Sequence, residues 1–230
     1  MGRLAHIMRI IQPVVLVTLP VIMVLWAWLK LPNAALVTSA CACAALVPFF
    51  VGFEKSRRRA RDLMPVVVLT ALAVAGRLVF APVPAVKPII AIVVVGGLCF
   101  GREDGFMIGA LSMLVSNVFF GQGPWTPWQM FSMGLAGYLA GVMGSHGWLR
   151  RRWSVAAFGA SMALLCGFIL DTWSIVGFVS NINAASVFAT YAAGIVNNVA
   201  SAVGTVMFLV PIAQSWPRMF GRIKERYQIG

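Results

Sequence analysis

The sequence predicts an all-α integral membrane protein that crosses the bilayer about eight times, with both termini in the cytoplasm. Of its 230 residues, 60% are hydrophobic and only 10% are charged, whereas about a quarter of a soluble domain is charged. A helix needs roughly 20 apolar residues to cross about 30 Å of hydrocarbon. Apolar runs separated by polar or proline-containing breaks are the predicted spans: residues 8–29, 34–53, 63–81, 88–100, 105–120, 127–144, 153–173 and 184–213.

The distribution of charge predicts the orientation. The chain has 18 Lys+Arg against 6 Asp+Glu and a net charge of +12, and most basic residues lie at the ends of apolar runs, as the positive-inside rule describes. Placing residues 54–62 in the cytoplasm puts fifteen basic residues inside and only Lys30 and Lys87 outside, with Arg77 within a span. The basic balance therefore indicates topology and not nucleic-acid binding.

The chain is expected to divide at its basic segment. Residues 1–54 form a two-helix hairpin, residues 55–62 a cytoplasmic linker, residues 63–216 a six-helix core and residues 217–230 a basic cytoplasmic tail. Nearly every polar residue within a span falls in the core, so we expect the core to carry the function.

Enzymatic chemistry has little support in the sequence. Neither G-x-x-x-x-G-K-[ST] nor G-x-G-x-x-G occurs, so ATP would have to be hydrolysed by another subunit. His6 and His146 have no nucleophile or second ligand at a recognisable spacing. We therefore expect no catalytic residue, metal or cofactor; the cysteines are interpreted as small buried hydrophobic residues: Cys41, Cys43, Cys99 and Cys166.

The segment GQGPWTPWQ, residues 121–129, is the most informative stretch. Thr126 and Gln129 fit a helix start, with Thr as N-cap and Gln closing a capping box; Gln129 is otherwise a ligand contact. Trp125 and Trp128 fit an interfacial belt. We favour a proline-stiffened lid in which both indoles, beside Gln122, cover a flat or amphipathic ligand.

Further candidate ligand contacts also map to the outer side. Arg77 lies within a span, where a charge costs roughly 2.5 to 3.5 kcal/mol at the centre and usually faces a cavity or a partner; the alternative is snorkelling. Asp171 is either its ion-pair partner, the partner of Lys87, or a ligand contact. The remaining candidates are Asn117, Tyr191 and Asn183. The alternative role is an interhelical hydrogen bond for the first two and a helix N-cap for Asn183. Together they predict a pocket open to the outside.

Small residues recur every four positions in three places, which lets helices approach closely. One stripe is Val67, Ala71 and Ala75; the others are formed by glycines, at 137 and 141 and at 101, 105 and 109. At least two of the three are expected to serve only packing within the bundle.

The stretch from residue 63 to 144 resembles the substrate-specific S component of energy-coupling factor (ECF) vitamin transporters. The resemblance rests on LTALAVAGR, an alanine-rich helix that ends in arginine, on GxxxGALSxLVSN, and on GQGPWTPWQM. It implies a six-helix bundle in the plasma membrane of a prokaryote that captures a vitamin-like micronutrient from outside. It also implies three partner subunits, a transmembrane coupling subunit and two cytoplasmic ATPases, and a contact with the former through the stripe of Val67, Ala71 and Ala75.

Within this resemblance the N-terminal hairpin is additional, and the motif does not specify the substrate. Related sequences make cobalamin or another corrinoid the first expectation, although the outer face offers no cobalt ligand; riboflavin, folate, thiamine or a modified-base precursor would also suit a tryptophan-lined lid. Two other classes remain open. A self-sufficient secondary carrier would need carboxylate relays, for which only Asp171 is available, and a structural membrane protein would bind no ligand.

Overall fold

A computed structural model describes residues 11–18, 21–22, 25, 29, 33–54, 59–179 and 181–227, except for the side chains of residues 224 and 227. The described residues contain helices and no strand, which confirms the all-α prediction. Beyond a helical stretch at 11–18, the helices are α1 (Ala34–Glu54), α2 (Ala60–Val79), α3 (Ile89–Phe100), α4 (Arg102–Phe120), α5 (Thr126–Ser145), α6 (Arg152–Phe178) and α7 (Ala184–Tyr227).

Five of the helices, α1, α2, α4, α6 and α7, are long and apolar enough to cross a membrane. Part of the first predicted span lies outside the described residues, as do Lys30, Lys55, Arg57 and Arg58, on which the predicted orientation partly rests. That orientation stays a prediction, and the two ends of the bundle are named after it. The outer end carries the loops at 80–88 and 121–125 together with residues 179 and 181–183, and the inner end carries the loop at 146–151.

The short helix α3 lies at the centre of the bundle. It packs against α2, α4, α5 and α7, and all its residues from Ile89 to Gly97 are buried. A helix that is apolar on every side lies either in a protein core or against lipid, and here neighbouring helices cover it. Its 12 residues span only about 18 Å at 1.5 Å per residue, and its central place explains how so short a helix belongs to the bundle.

The last helix differs most from its predicted limits. The apolar run ends near residue 213, but α7 continues to Tyr227 through Pro211 and Pro217. The described part of the predicted tail, residues 217–227, therefore extends a membrane helix beyond the apolar region. Apolar content predicted the membrane crossing, whereas the helical conformation persists into the polar, basic sequence.

The two glycine repeats form one contact between α4 and α5. A Cβ atom added at Gly105 or Gly137 would collide with the backbone of the other residue, and one added at Gly109 would collide with the backbone of Met133. We call Gly105, Gly109 and Gly137 the glycine seam. Gly101 differs, because it has free space around it and a φ of 95°, and it forms the single-residue junction between α3 and α4.

Helix α1, from the predicted N-terminal hairpin, packs onto the core. Its Phe49 stacks on Phe106 of α4 at 3.6 Å between ring centroids and meets the edge of Tyr138 of α5 at 5.7 Å. At its outer end Ser39 Oγ donates a hydrogen bond of 2.9 Å to the carbonyl oxygen of Pro124. Helix α1 thus contacts the very loop that the sequence singles out.

Candidate functional site

Arg77, near the outer end of α2, is held by α4. Its guanidinium donates hydrogen bonds to the hydroxyl of Ser116 and, at 2.8 Å, to Oδ1 of Asn117. It also lies over the ring of Phe120, 4.7 Å from the centroid, where a cation is attracted to the face of the aromatic ring. An arginine within a membrane span is expected to have a polar partner. Arg77 has two such partners, and both are uncharged.

The amide of Asn117 connects Arg77 to the start of α5. Asn117 is 1% exposed, and its Nδ2 donates to Gln129 Oε1 at 2.7 Å and to Thr126 Oγ1 at 3.1 Å. Thr126 Oγ1 in turn donates to Gln122 Oε1 at 2.9 Å and accepts from the backbone N–H of Gly123 at 3.2 Å. These residues form a continuous chain of hydrogen bonds, which we call the outer network.

The helix-start interpretation of Thr126 and Gln129 is wrong in its details. Trp125 occupies the N-cap position without a side-chain cap, and Thr126 is already helical. Gln129 accepts its hydrogen bond from Asn117 and does not close a capping box. The residue types suit a cap, but a buried amide from another helix competes for them.

Aromatic rings form a second cluster beside the outer network. The edge of Trp125 approaches Trp173 of α6, with centroids 6.0 Å apart, and Trp173 contacts Phe178 at 5.1 Å. Trp128 and Trp173 are each 4% exposed and pack with Ala42 of α1. We call Trp125, Trp128 and Trp173 the tryptophan cluster; only Trp125 of the two predicted lid residues remains half-buried.

Two donors in this cluster are unsatisfied. The indole N–H groups of Trp128 and Trp173 are buried and have no hydrogen-bond partner among the described residues. A buried donor left without an acceptor costs about 1 to 3 kcal/mol, so native structures rarely retain one without a reason. Two such donors lie in one cluster. A hydrogen-bond acceptor added there would therefore recover the free energy that their burial costs.

Asp171 and Tyr191 belong to the contact between α6 and α7. Asn198 Nδ2 donates to Asp171 Oδ2 at 2.7 Å, and Tyr191 bonds Thr172 through their hydroxyls at 2.9 Å. The predicted ion pair of Asp171 with Arg77 or Lys87 is not formed between these described residues. Asp171 faces an amide on the adjacent helix, and Arg77 has its own partners on α4.

The two remaining candidates lie in outer loops. Lys87 Nζ is 5.7 Å from the centroid of Phe120, and burial lowers its pKa, as does the nearby charge of Arg77. Asn183 caps α7: its Oδ1 accepts from the N–H of Ser186 at 2.8 Å, and its own N–H donates to Ser186 Oγ at 3.0 Å. Its side-chain oxygen is thus engaged in a reciprocal cap.

Sequence reasoning missed several residues that the fold brings to the outer end. Ser116 stands beside Asn117 and Trp173 stands two residues after Asp171, so proximity to a chosen residue was an available signal. For Ser39 the sequence offers no such signal, because its contact with Pro124 joins segments 85 residues apart.

The stripe of Val67, Ala71 and Ala75 lies on an uncovered face of α2. All three residues are exposed, Val67 by 61% of its surface. Of the three small-residue repeats, this is the one that no helix of the described chain covers.

Apolar helices of membrane-spanning length indicate an integral membrane protein, and the polar and aromatic clusters form a candidate site at one end of its bundle. A family model described as "ECF-type riboflavin transporter, S component" matches residues 58–214. Because the match covers more than half of the chain, the protein belongs to this family, a class of transport protein of the prokaryotic plasma membrane and not a class of enzyme. No curated protein and no solved structure matches the chain.

Proposed function

We propose that this chain is the substrate-capture subunit of an ECF-type importer and that it binds riboflavin or a closely related flavin at its outer end. The family is named for riboflavin, which favours a flavin over the corrinoid first expected from the sequence. The observation that carries the proposal is the pair of buried indole N–H groups of Trp128 and Trp173, which have no acceptor among the described residues.

A flavin ring meets the requirements of the tryptophan cluster. It is flat and aromatic, so it suits indole rings through stacking or edge contacts, and its edge carries carbonyl oxygens and ring nitrogens that accept hydrogen bonds. A ligand with such acceptors satisfies the donors of Trp128 and Trp173 and gains the free energy that their burial costs. Half-buried Trp125 supplies a covering ring from the loop side.

The outer network has a different role in this proposal. Asn117, Thr126 and Gln129 already bond one another and Arg77, so they have less to gain from a ligand than the free indole donors. We propose that the network fixes the loop at 121–125, and that Ser39 of α1 braces the same loop from the other side. Arg77 is then a positioning residue whose loss loosens the lid.

Partner subunits complete the proposed importer. A transmembrane coupling subunit would contact the exposed stripe of Val67, Ala71 and Ala75, where small side chains allow another helix to approach closely. Two cytoplasmic ATPases would supply the energy. A secondary carrier is the less favoured alternative, because Asp171, its one candidate relay, is bonded to Asn198.

Flavin binding to the purified chain tests the substrate and the site together. We expect quenching of flavin fluorescence on binding, and a loss of affinity of about fivefold for Trp128→Phe and for Trp173→Phe, the value of one hydrogen bond. Trp216→Phe is the matched control, since Trp216 is a half-buried tryptophan at the inner end, and it should bind normally. Thermal unfolding of each variant separates lost affinity from lost stability.

Three results would contradict the proposal. Absence of flavin binding by the wild-type chain would show that the proposed substrate is wrong. Unchanged affinity in both tryptophan variants would show that the proposed binding site is wrong. Uptake by the chain alone in response to a proton or sodium gradient, with no coupling subunits present, would favour the carrier.

A further inference from the structure

A second cleft, of about 310 Å³, lies at the inner end of the bundle, far from the tryptophan cluster. It is enclosed by the ends of α3 and α5, the loop before α6 and the last third of α7. Its wall combines apolar and polar side chains, among them Leu98, Leu149, Pro217, Arg150, Gln214 and Arg218.

The two arginines of this cleft are available for an anion. Arg150 and Arg218 are exposed, and neither has a hydrogen-bond or ion-pair partner among the described residues. Gly147 helps to place Arg150: its φ is 75°, and a Cβ atom there would come within 2.9 Å of the guanidinium. The loop therefore brings this cation to the cleft by a conformation that favours glycine.

The length of α7 and two exposed tryptophans indicate that the cleft lies at the level of lipid headgroups. Helix α7 has 44 residues and is about 66 Å long at 1.5 Å per residue, roughly twice the hydrocarbon thickness, so its last third extends beyond the hydrocarbon. Trp148 and Trp153, which flank Arg150 in the sequence, are 67% and 63% exposed, and exposed tryptophans favour the membrane–water interface. Arg152 lies over the ring of Trp153 at 5.3 Å.

We propose that this cleft binds the phosphate of an anionic glycerophospholipid from the inner leaflet. The forked guanidiniums of Arg150 and Arg218 suit phosphate oxygens, and basic pockets at the cytoplasmic side of membrane helices attract anionic lipid. Leu98, Leu149 and Pro217 continue the wall with apolar surface, along which the first part of an acyl chain lies. A free phosphate would leave this surface uncovered, so the combination selects a lipid.

Native mass spectrometry of the full chain, with phosphatidylglycerol or phosphatidylcholine of equal chain length, tests the proposal. We expect wild type to retain one phosphatidylglycerol. The variant Arg150→Gln/Arg218→Gln should bind it about thirtyfold more weakly, as expected for the loss of two basic contacts near a membrane surface. Arg151→Gln/Arg222→Gln is the matched control, because it removes the same charge from the same end, and it should retain the lipid.

A second variant, which loses no charge, tests the proposal independently if the double variant fails to fold. Gln214→Trp keeps both arginines and fills the cleft from an exposed position of α7, and it should also lose the lipid while flavin affinity is unchanged. Equal loss of lipid from Arg151→Gln/Arg222→Gln would show that lipid binding depends only on the net charge of this end and would contradict a specific site in the cleft. Retention by both cleft variants, equal retention of phosphatidylcholine, or saturation of the cleft by inorganic phosphate in place of lipid would overturn the proposal.

Discussion

The glycine seam and the small-residue stripe of α2 have the same four-residue repeat and opposite surroundings. In the seam, Gly105 and Gly137 bring the backbones of α4 and α5 into direct contact. On α2, Ala71 and Ala75 are exposed. A small-residue repeat therefore indicates that a helix can approach closely, but only the fold shows whether the approaching helix belongs to the same chain.

The largest effect is expected in the glycine seam. Gly137→Ala places a methyl group against the backbone of Gly105, and overpacking of this kind typically costs 1 to 3 kcal/mol or more, which exceeds the gain of about 1 kcal/mol in helix propensity. We expect a clear fall in the midpoint of thermal unfolding in detergent. Gly221→Ala is the control, because Gly221 has open space around it and should show no fall; an equally stable Gly137→Ala would refute the seam.

An effect on assembly without an effect on folding is expected on α2. Ala71→Leu/Ala75→Leu adds bulk to an exposed face, so the unfolding midpoint and flavin affinity should stay unchanged, while co-purification with the coupling subunit should fail because close approach is blocked. Ala157→Leu, at an exposed position of α6, controls for added bulk at the lipid-facing surface. Normal co-purification of the double variant would mean that the coupling subunit contacts another face.

The smallest effect is expected at Val67, where the stripe has its bulkiest residue. Val67→Ala makes the repeat uniform and should strengthen association with the coupling subunit by less than about tenfold, the scale of one or two methyl groups. Titration of the coupling subunit against the variant in detergent measures the change. Weaker association would show that Val67 itself packs against the partner, so that the stripe is not simply a surface for close approach.

The outer end shows how far the candidate site could be predicted. The sequence chose Arg77, Asn117, Trp125, Trp128 and Gln129, and the fold brings all of them to one end of the bundle. Sequence analysis nevertheless assigned the wrong hydrogen-bond and ion-pair partners to these side chains, because a side chain's partner depends on helix rotation and packing. Asp171, the natural partner of Arg77 by charge, bonds Asn198, and Gln129 bonds Asn117 in place of its own helix terminus.

The sequence by itself determined the all-α membrane class, the family and the approximate helix limits other than the end of α7, because hydrophobic length and local motifs are properties of contiguous residues. Tertiary structure alone decided that α1 braces the outer loop, that two indole donors are buried without a described partner, and that two glycine repeats meet while the alanine stripe stays exposed. Each of these depends on how helices distant in sequence are rotated about their axes and shifted along the bundle. The hydropathy of a single helix determines neither.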